Sequence, residues 1–197
     1  MSKIVVLNSG GFDSITLINL VYKMWGDSEI HSLHFLYGAR NTKQQEECVD
    51  RVCEKIGAVN VKVPLPLFTW TTGEFYKPGY DDKTQYVEYR NMVFLSYALS
   101  YAQAVGAKQI FLATLNGGYV DCSKKFLHHM NSIAKMSGIH IEAPFSDCKF
   151  KLSLAEYAKS CGVKKGDYFS CDNPLEDGRP CGTCIDCIAL KEVEKYL

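Results

Sequence analysis

At 197 residues the chain has the length of one ordinary domain with room for an appendage. Hydrophobic residues at 47% and charged residues at 22% argue against a disordered, fibrous or membrane-spanning class. Lys+Arg and Asp+Glu are both 22, so no net field draws the chain to nucleic acid or to an anionic membrane, and a small-molecule ligand is expected.

The opening MSKIVVLNSGG is too short in apolar residues for a signal peptide or a membrane span, so a cytoplasmic location is the expectation. Lys3 to Leu7 is a continuous apolar and β-branched run that ends in Asn-Ser-Gly-Gly, which predicts a strand buried on both faces and stopped by a turn. Helical spacing of Ile15, Leu17, Ile18, Val21 and Tyr22 predicts a helix from Asp13 to Trp25. A second strand is predicted over Ile30 to Leu36, a second helix over Thr42 to Ile56 stopped by Gly57, and a third strand over Val59 to Leu65 beside Pro64 and Pro66. From Phe68 to Glu88 no period survives among the Thr, Gly, Pro, Tyr and Asp residues, so a long loop that lids or lines a site is expected.

Beyond it, Arg90 to Val105 reads as helix and Gln109 to Thr114 as a fourth strand. Further helices are predicted over Phe126 to Met136, Ser153 to Ser160 and Ile185 to Leu197. Strand and helix alternate, which predicts an α/β fold: a doubly wound parallel sheet with ligands at the carboxyl ends of its strands. The division expected is a nucleotide-binding domain over 1–165 and a metal-binding tail over 166–197.

The run Ser9-Gly10-Gly11-Phe12-Asp13-Ser14 sits between the first strand and the first helix. A glycine pair there turns the backbone sharply and presents N–H groups where the helix dipole favours an anion, so phosphate fits. Asp13 suits that site when magnesium bridges its carboxylate to phosphate oxygens, and Ser9, Ser14 and Thr16 add hydroxyl donors. The plainer alternative is a turn with Asp13 as a helix cap. The run lacks the Gly-Lys-Ser/Thr of a Walker loop and the third glycine of a dinucleotide fingerprint.

Nine cysteines occur, and Cys171, Cys181, Cys184 and Cys187 crowd into the tail. Cys171-x9-Cys181-Gly-Thr-Cys184-Ile-Asp-Cys187 matches a closed four-thiolate structural zinc site, with Gly182 permitting the tight knuckle. A redox pair and an iron–sulfur cluster use related spacings and stay open at this point.

The Ser9–Ser14 hexapeptide resembles the pyrophosphate-binding loop of the N-type ATP pyrophosphatases, which cleave ATP between the α and β phosphates to adenylate a substrate. Together with the cysteine tail, with the segment from Thr84 to Ala102, with Gly117 to Phe126 and with Leu36 to Glu47, it resembles the 7-cyano-7-deazaguanine synthase family over nearly the whole chain. That resemblance implies an adenine nucleotide alpha-hydrolase-like, Rossmann-type fold with a small zinc-binding subdomain. It implies ATP, magnesium and zinc as cofactors, 7-carboxy-7-deazaguanine and ammonia as substrates, and a homodimer that does not bind nucleic acid or membrane. Asn8, Ser9, Gly10, Gly11, Phe12, Asp13, Ser14, Ile15 and Thr16 would hold the nucleotide with Arg90 and Asn91. Asp13, Arg90 and Asp121 would be catalytic, and Lys124 and Lys125 would lie near the nucleotide.

Plainer roles exist: Arg90 could pair with Glu88 on the surface, and Asp121 with Cys122 could merely build a turn. The chain departs from the family pattern at Glu88-Tyr89 before Arg90, at Thr114 to Gly118, and at Ser153 to Glu156, where the family carries a lysine. A relative that stops at the amide, one that acts on another carboxylate, or a tRNA-modifying enzyme with the same loop are the alternative functions. A tRNA enzyme should show a basic face or an added RNA domain, and neither is evident.

Overall fold

The computed structural model describes residues 1–65, 87, 89–116 and 119–197. The expected lid from Phe68 to Glu88 lies, apart from Val87, outside the described residues, as do Pro66, Gly117 and Gly118. The elements are β1 (Lys3–Leu7), α1 (Phe12–Trp25), β2 (Glu29–Leu36), α2 (Thr42–Ile56), β3 (Val59–Pro64), α3 (Arg90–Val105), β4 (Gln109–Leu112), α4 (Lys124–Lys135), β5 (His140–Glu142), α5 (Ala155–Ser160) and α6 (Ile185–Val193). Short 3₁₀ turns at Val120–Cys122 and Lys151–Leu154 precede α4 and α5.

All strands run parallel in the order β3-β2-β1-β4-β5. The strand order reverses between β1 and β4, and in such sheets the crevice at the carboxyl ends of that pair receives the ligand. Alternation along β1 decides which side chain faces which layer. Ile4 and Val6 pack with Phe12, Ile15, Ile18, Val49, Phe145 and Leu154 on one face, while Val5 and Leu7 pack with Leu33, Leu95, Ala98, Ala102 and Ile110 on the other. Each of β1's residues from Ile4 to Leu7 is buried, as a central strand covered on both faces requires.

From the tail, Tyr168, Leu190 and Val193 join the same buried cluster as Phe12 and Ile15, and the Phe12 and Tyr168 rings meet edge to face at 5.0 Å. Among the described residues, no helix is long and apolar enough to cross a membrane.

Differences from the expected elements have local causes. β5 was not expected, because three residues with a single inward side chain, Ile141, carry no readable period. α4 starts at Lys124 instead of Phe126, since Ser123 caps it by accepting from the Phe126 N–H at 3.2 Å. β4 ends at Leu112, and α6 ends at Val193 instead of running to Leu197.

Candidate functional site

The loop between β1 and α1 is held from every side. Asn8 is buried, its Oδ1 accepting from the Gly10 N–H at 3.1 Å and its Nδ2 donating to Ser32 Oγ on β2 at 3.1 Å. Ser9 Oγ lies 2.7 Å from Ser14 Oγ and accepts from the Gly11 N–H at 3.3 Å. Phe12 and Ile15 send their side chains into the core, and their N–H groups are taken by Ser170 Oγ at 2.8 Å and by the Gly11 carbonyl at 2.9 Å. Thr16 is fully buried, and its Oγ1 has no hydrogen-bond partner among the described residues. α1 opens at Gly11, which itself offers no side-chain cap, and the positive end of the helix dipole there favours an anion.

Gly10 is the residue the loop cannot exchange. Its φ of +82° lies in the left-handed region, and a Cβ there would stand 2.3 Å from the Gln45 carbonyl oxygen of α2. Gly10→Ala is expected to cost about 2–4 kcal/mol from strain and a backbone clash that no rotamer relieves. Urea denaturation of the purified variant checks this; a midpoint equal to that of the parent chain would remove the close approach.

His34 anchors the same loop from β2. It is buried, its Nδ1–H donates to the Asn8 carbonyl at 2.9 Å, and its Nε2 has no partner among the described residues. Burial holds its pKa below the usual 6.5. Because the folded value is depressed, the unfolded chain takes up the proton first as pH falls below about 6.5, so the stability contribution is complete above that value and is lost on acidification. The slope is at most about 1.4 kcal/mol per pH unit. His34→Asn should flatten the difference in urea midpoint between pH 7.5 and pH 5.5; an unchanged difference assigns the pH dependence elsewhere.

Asp13, on the first turn of α1, sits in a charged cluster drawn from three distant segments. Lys151 Nζ lies 2.9 Å from Asp13 Oδ2 and 3.3 Å from Asp186 Oδ1, and the lysine side chain is only 14% exposed. Burial works against the Lys151 charge, but Asp13 and Asp186 outweigh it and hold the ammonium well above the ordinary lysine range. Asp172 lies against the same group, its carboxyl pushed up by burial and by Asp186. Asp13 Oδ1 is buried with no partner among the described residues, and a hard cation held by a single carboxylate oxygen, such as magnesium, would satisfy it.

A second cluster gathers at the start of α3. Arg90 Nη1 donates to Tyr37 Oη at 3.2 Å, and its guanidinium carbon stands 5.5 Å from the Tyr37 ring centre and 6.0 Å from that of Phe94. Tyr37 first, then Asp121, Cys122 and Asp172, keep that guanidinium charged against its burial. Asn91 is the brace: its backbone N–H donates to Asp121 Oδ2 at 2.9 Å, and its Nδ2 donates to the Asp121 carbonyl at 3.2 Å and to Cys122 Sγ at 3.3 Å. Tyr89, with φ of +56°, turns the chain into the helix at this point. Arg90, Asn91 and Asp121 are thus brought together at the start of α3.

The four tail cysteines converge, their Sγ atoms all within 4.8 Å of one another. Cys181 to Cys187 and Cys171 to Cys184 are both separated by 4.0 Å. A tetrahedral zinc with bonds of about 2.3 Å sets its sulfurs about 3.8 Å apart, so the donor set fits a single ion. Backbone N–H groups of Cys181, Thr183, Cys184 and Cys187 point at these sulfurs at 3.2 to 3.5 Å, as thiolates require. The sulfur–sulfur contact with Cys171 draws the Cys184 thiol down, and the same contact together with burial pushes Cys171 up.

Sequence reading alone did not find Lys151, Asp172, Asp186, Ser170 or Tyr37. Lys124 pairs with Asp147 on the surface, and Lys151 is the lysine that reaches Asp13 of the Ser9–Ser14 loop. A cavity of about 480 Å³ lies between α2 and α6, lined by Arg51, Lys165, Tyr168, Phe169, Leu190 and Glu194 among others. Its cations are committed, Arg51 to the Gly166 carbonyl, Lys165 to Glu194 and Lys191 to the Gly182 carbonyl, and neither Asp13 nor Arg90 lines it. The Asp13 and Asp121 clusters lie elsewhere, after the carboxyl ends of β1 and β4.

The chain resembles known proteins along its whole length. A protein of Rickettsia felis described as 7-cyano-7-deazaguanine synthase is 32% identical over 213 residues, which cover 95% of this chain and 92% of that protein. One of the same description from Clostridium kluyveri is 33% identical over 210 residues, covering 95% and 90%. Among solved structures, the U34-tRNA thiolase NcsA from Methanococcus maripaludis with its 4Fe-4S cluster superposes with a TM-score of 0.55 at 11% identity, covering 98% of this chain and 64% of that one. A 4-thiouridine synthetase in complex with RNA and bound ATP gives 0.53 at 19%, covering 99% and 50%. These two share the fold. The match that spans residues 3–193 is to the queuosine biosynthesis protein QueC, and the chain belongs to the QueC family.

Proposed function

We propose that this chain is an ATP-dependent carbon–nitrogen ligase that converts 7-carboxy-7-deazaguanine and ammonia to 7-cyano-7-deazaguanine. The carboxylate attacks the ATP α-phosphorus and expels pyrophosphate, ammonia displaces AMP from the acyl-adenylate, and an amide results. A second ATP adenylates the amide oxygen, again with release of pyrophosphate, and loss of AMP and a proton leaves the nitrile. The observation that carries this reading is the glycine loop with Asp13 at the carboxyl end of β1, in a chain that belongs throughout to a family whose curated members bear that enzyme's name.

Each residue has a chemical task in this scheme. The loop from Asn8 to Thr16 holds the β and γ phosphates on backbone N–H groups and the Ser9 and Ser14 hydroxyls while charge builds on the leaving pyrophosphate. Magnesium held by Asp13 would neutralise that charge. Arg90, fixed by the Tyr37 hydroxyl and by packing against Phe94, fits a carboxylate or phosphate oxygen, and Asn91 with Asp121 sets its direction. The four thiolates suit structural zinc: the 4.8 Å limit on their spacing is too small for thiolates arranged around a four-iron cube. Cytoplasmic location and a homodimer accord with the same family reading.

The test is incubation of the purified chain with ATP, magnesium, ammonium and 7-carboxy-7-deazaguanine, followed by mass spectrometry. The nitrile is expected with two AMP per turnover. An amide as the only product would restrict the chain to the first adenylation, and ATP left intact beside the acid would overturn the substrate.

A further inference from the structure

One buried ion group joins two parts of the site that lie far apart in sequence. Lys151 reaches Asp13 in the nucleotide loop and Asp186 between Cys184 and Cys187, in the first turn of α6. A second tie runs beside it. The Phe12 N–H donates to Ser170 Oγ at 2.8 Å, and the Phe169 N–H donates to the Gly10 carbonyl at 2.9 Å. Ser170 directly precedes the cluster cysteine Cys171, whose own carbonyl accepts from Asn41 Nδ2 at 3.0 Å. The cysteine knuckle therefore grips both the backbone and the carboxylate of the loop.

The two oxygens of Asp13 are treated differently. Oδ2 is taken by Lys151, whereas Oδ1 is buried and has no partner among the described residues. A carboxylate pinned through one oxygen keeps a single rotamer and presents the other in a fixed place, the monodentate arrangement that small octahedral cations accept. An exposed ion pair would not do this, because solvent would screen it and the side chains would wander. Lys151 is enclosed, and the carboxylates of Asp13 and Asp186 share its one ammonium.

We propose that Lys151 is a positioning residue for adenylation: anchored by Asp186 in the cysteine knuckle, it fixes Asp13 Oδ2 and leaves Oδ1 for the magnesium nucleotide. This rests on the ATP-dependent reading above. The test is calorimetric binding of magnesium α,β-methylene-ATP to the metal-loaded protein, with metal content read on the same samples. Lys151→Met should weaken binding about tenfold or more, raise KM for ATP more than KM for the acid, and leave the metal stoichiometry unchanged. Lys151→Arg should recover affinity to within about threefold of the parent chain. Ser170→Ala, which removes one hydroxyl and leaves the ion group intact, should weaken the same binding about threefold with metal retained. Unchanged affinity in Lys151→Met, loss of metal in step with loss of affinity, or no recovery by arginine each overturns the proposal; unchanged affinity in Ser170→Ala overturns the tie to the knuckle. A parent chain that forms no AMP from ATP and the acid defeats the functional reading, whereas one that does so beside an unaffected Lys151→Met defeats this inference alone.

Discussion

Asp13→Asn is expected to lower AMP release from ATP by about 10³-fold, with the sheet and the metal content unchanged. The substitution keeps the size of the side chain and removes its charge. Its two effects separate by magnitude. Breaking a fully buried ion pair costs about 3–5 kcal/mol, but Asp13 is 20% exposed and Lys151 retains Asp186, so about 1–2 kcal/mol of stability is the expected loss. That leaves the fold standing while the ligand for magnesium is gone. Single-turnover measurement of AMP at saturating ATP checks the first effect and thermal denaturation the second. A variant retaining a tenth or more of the parent rate would show that Asp13 serves the loop only as a helix-start residue.

Cys184→Ser is expected to act on stability first and on catalysis through it. Four-thiolate zinc sites contribute roughly 10–16 kcal/mol of apparent binding energy, comparable to the whole stability of a domain at about 5–15 kcal/mol. Cys184 also caps α6, its sulfur accepting from the Cys187 N–H, so one substitution removes a ligand and loosens a helix start. A loss of even about 4 kcal/mol corresponds to a fall in Tm of about 10 °C for a domain of this size. Metal analysis and differential scanning calorimetry on the same preparation check both parts. Full metal content with Tm within about 2 °C of the parent would mean that Cys184 is not a ligand.

The loop and the cysteine knuckle were legible in the sequence because each is written within a short span, by glycines at a strand end and by thiols at fixed spacing. Arg90 and Asn91 were legible as a helix start, but Tyr37, against which Arg90 is fixed, lies 53 residues away and gives no local signal. Lys151 was hidden for the same reason. A single lysine in a 3₁₀ turn reads as surface, and only the fold brings it to Asp13 across 138 residues. The parallel sheet followed from alternation of strand and helix, whereas β5 did not, since its one buried side chain leaves no pattern to read.

The contacts that complete the loop carry a consequence for how the chain is made. Phe12 finds its acceptor in Ser170, which is synthesised 158 residues later. At translation rates of about 5–20 residues per second, that partner trails by about 8–30 s. For that interval the nascent sheet carries the loop without its Ser170 brace. Cys171, Cys181, Cys184 and Cys187 follow directly on Ser170, so the brace of the loop and the cysteine cluster are completed by the same stretch of synthesis.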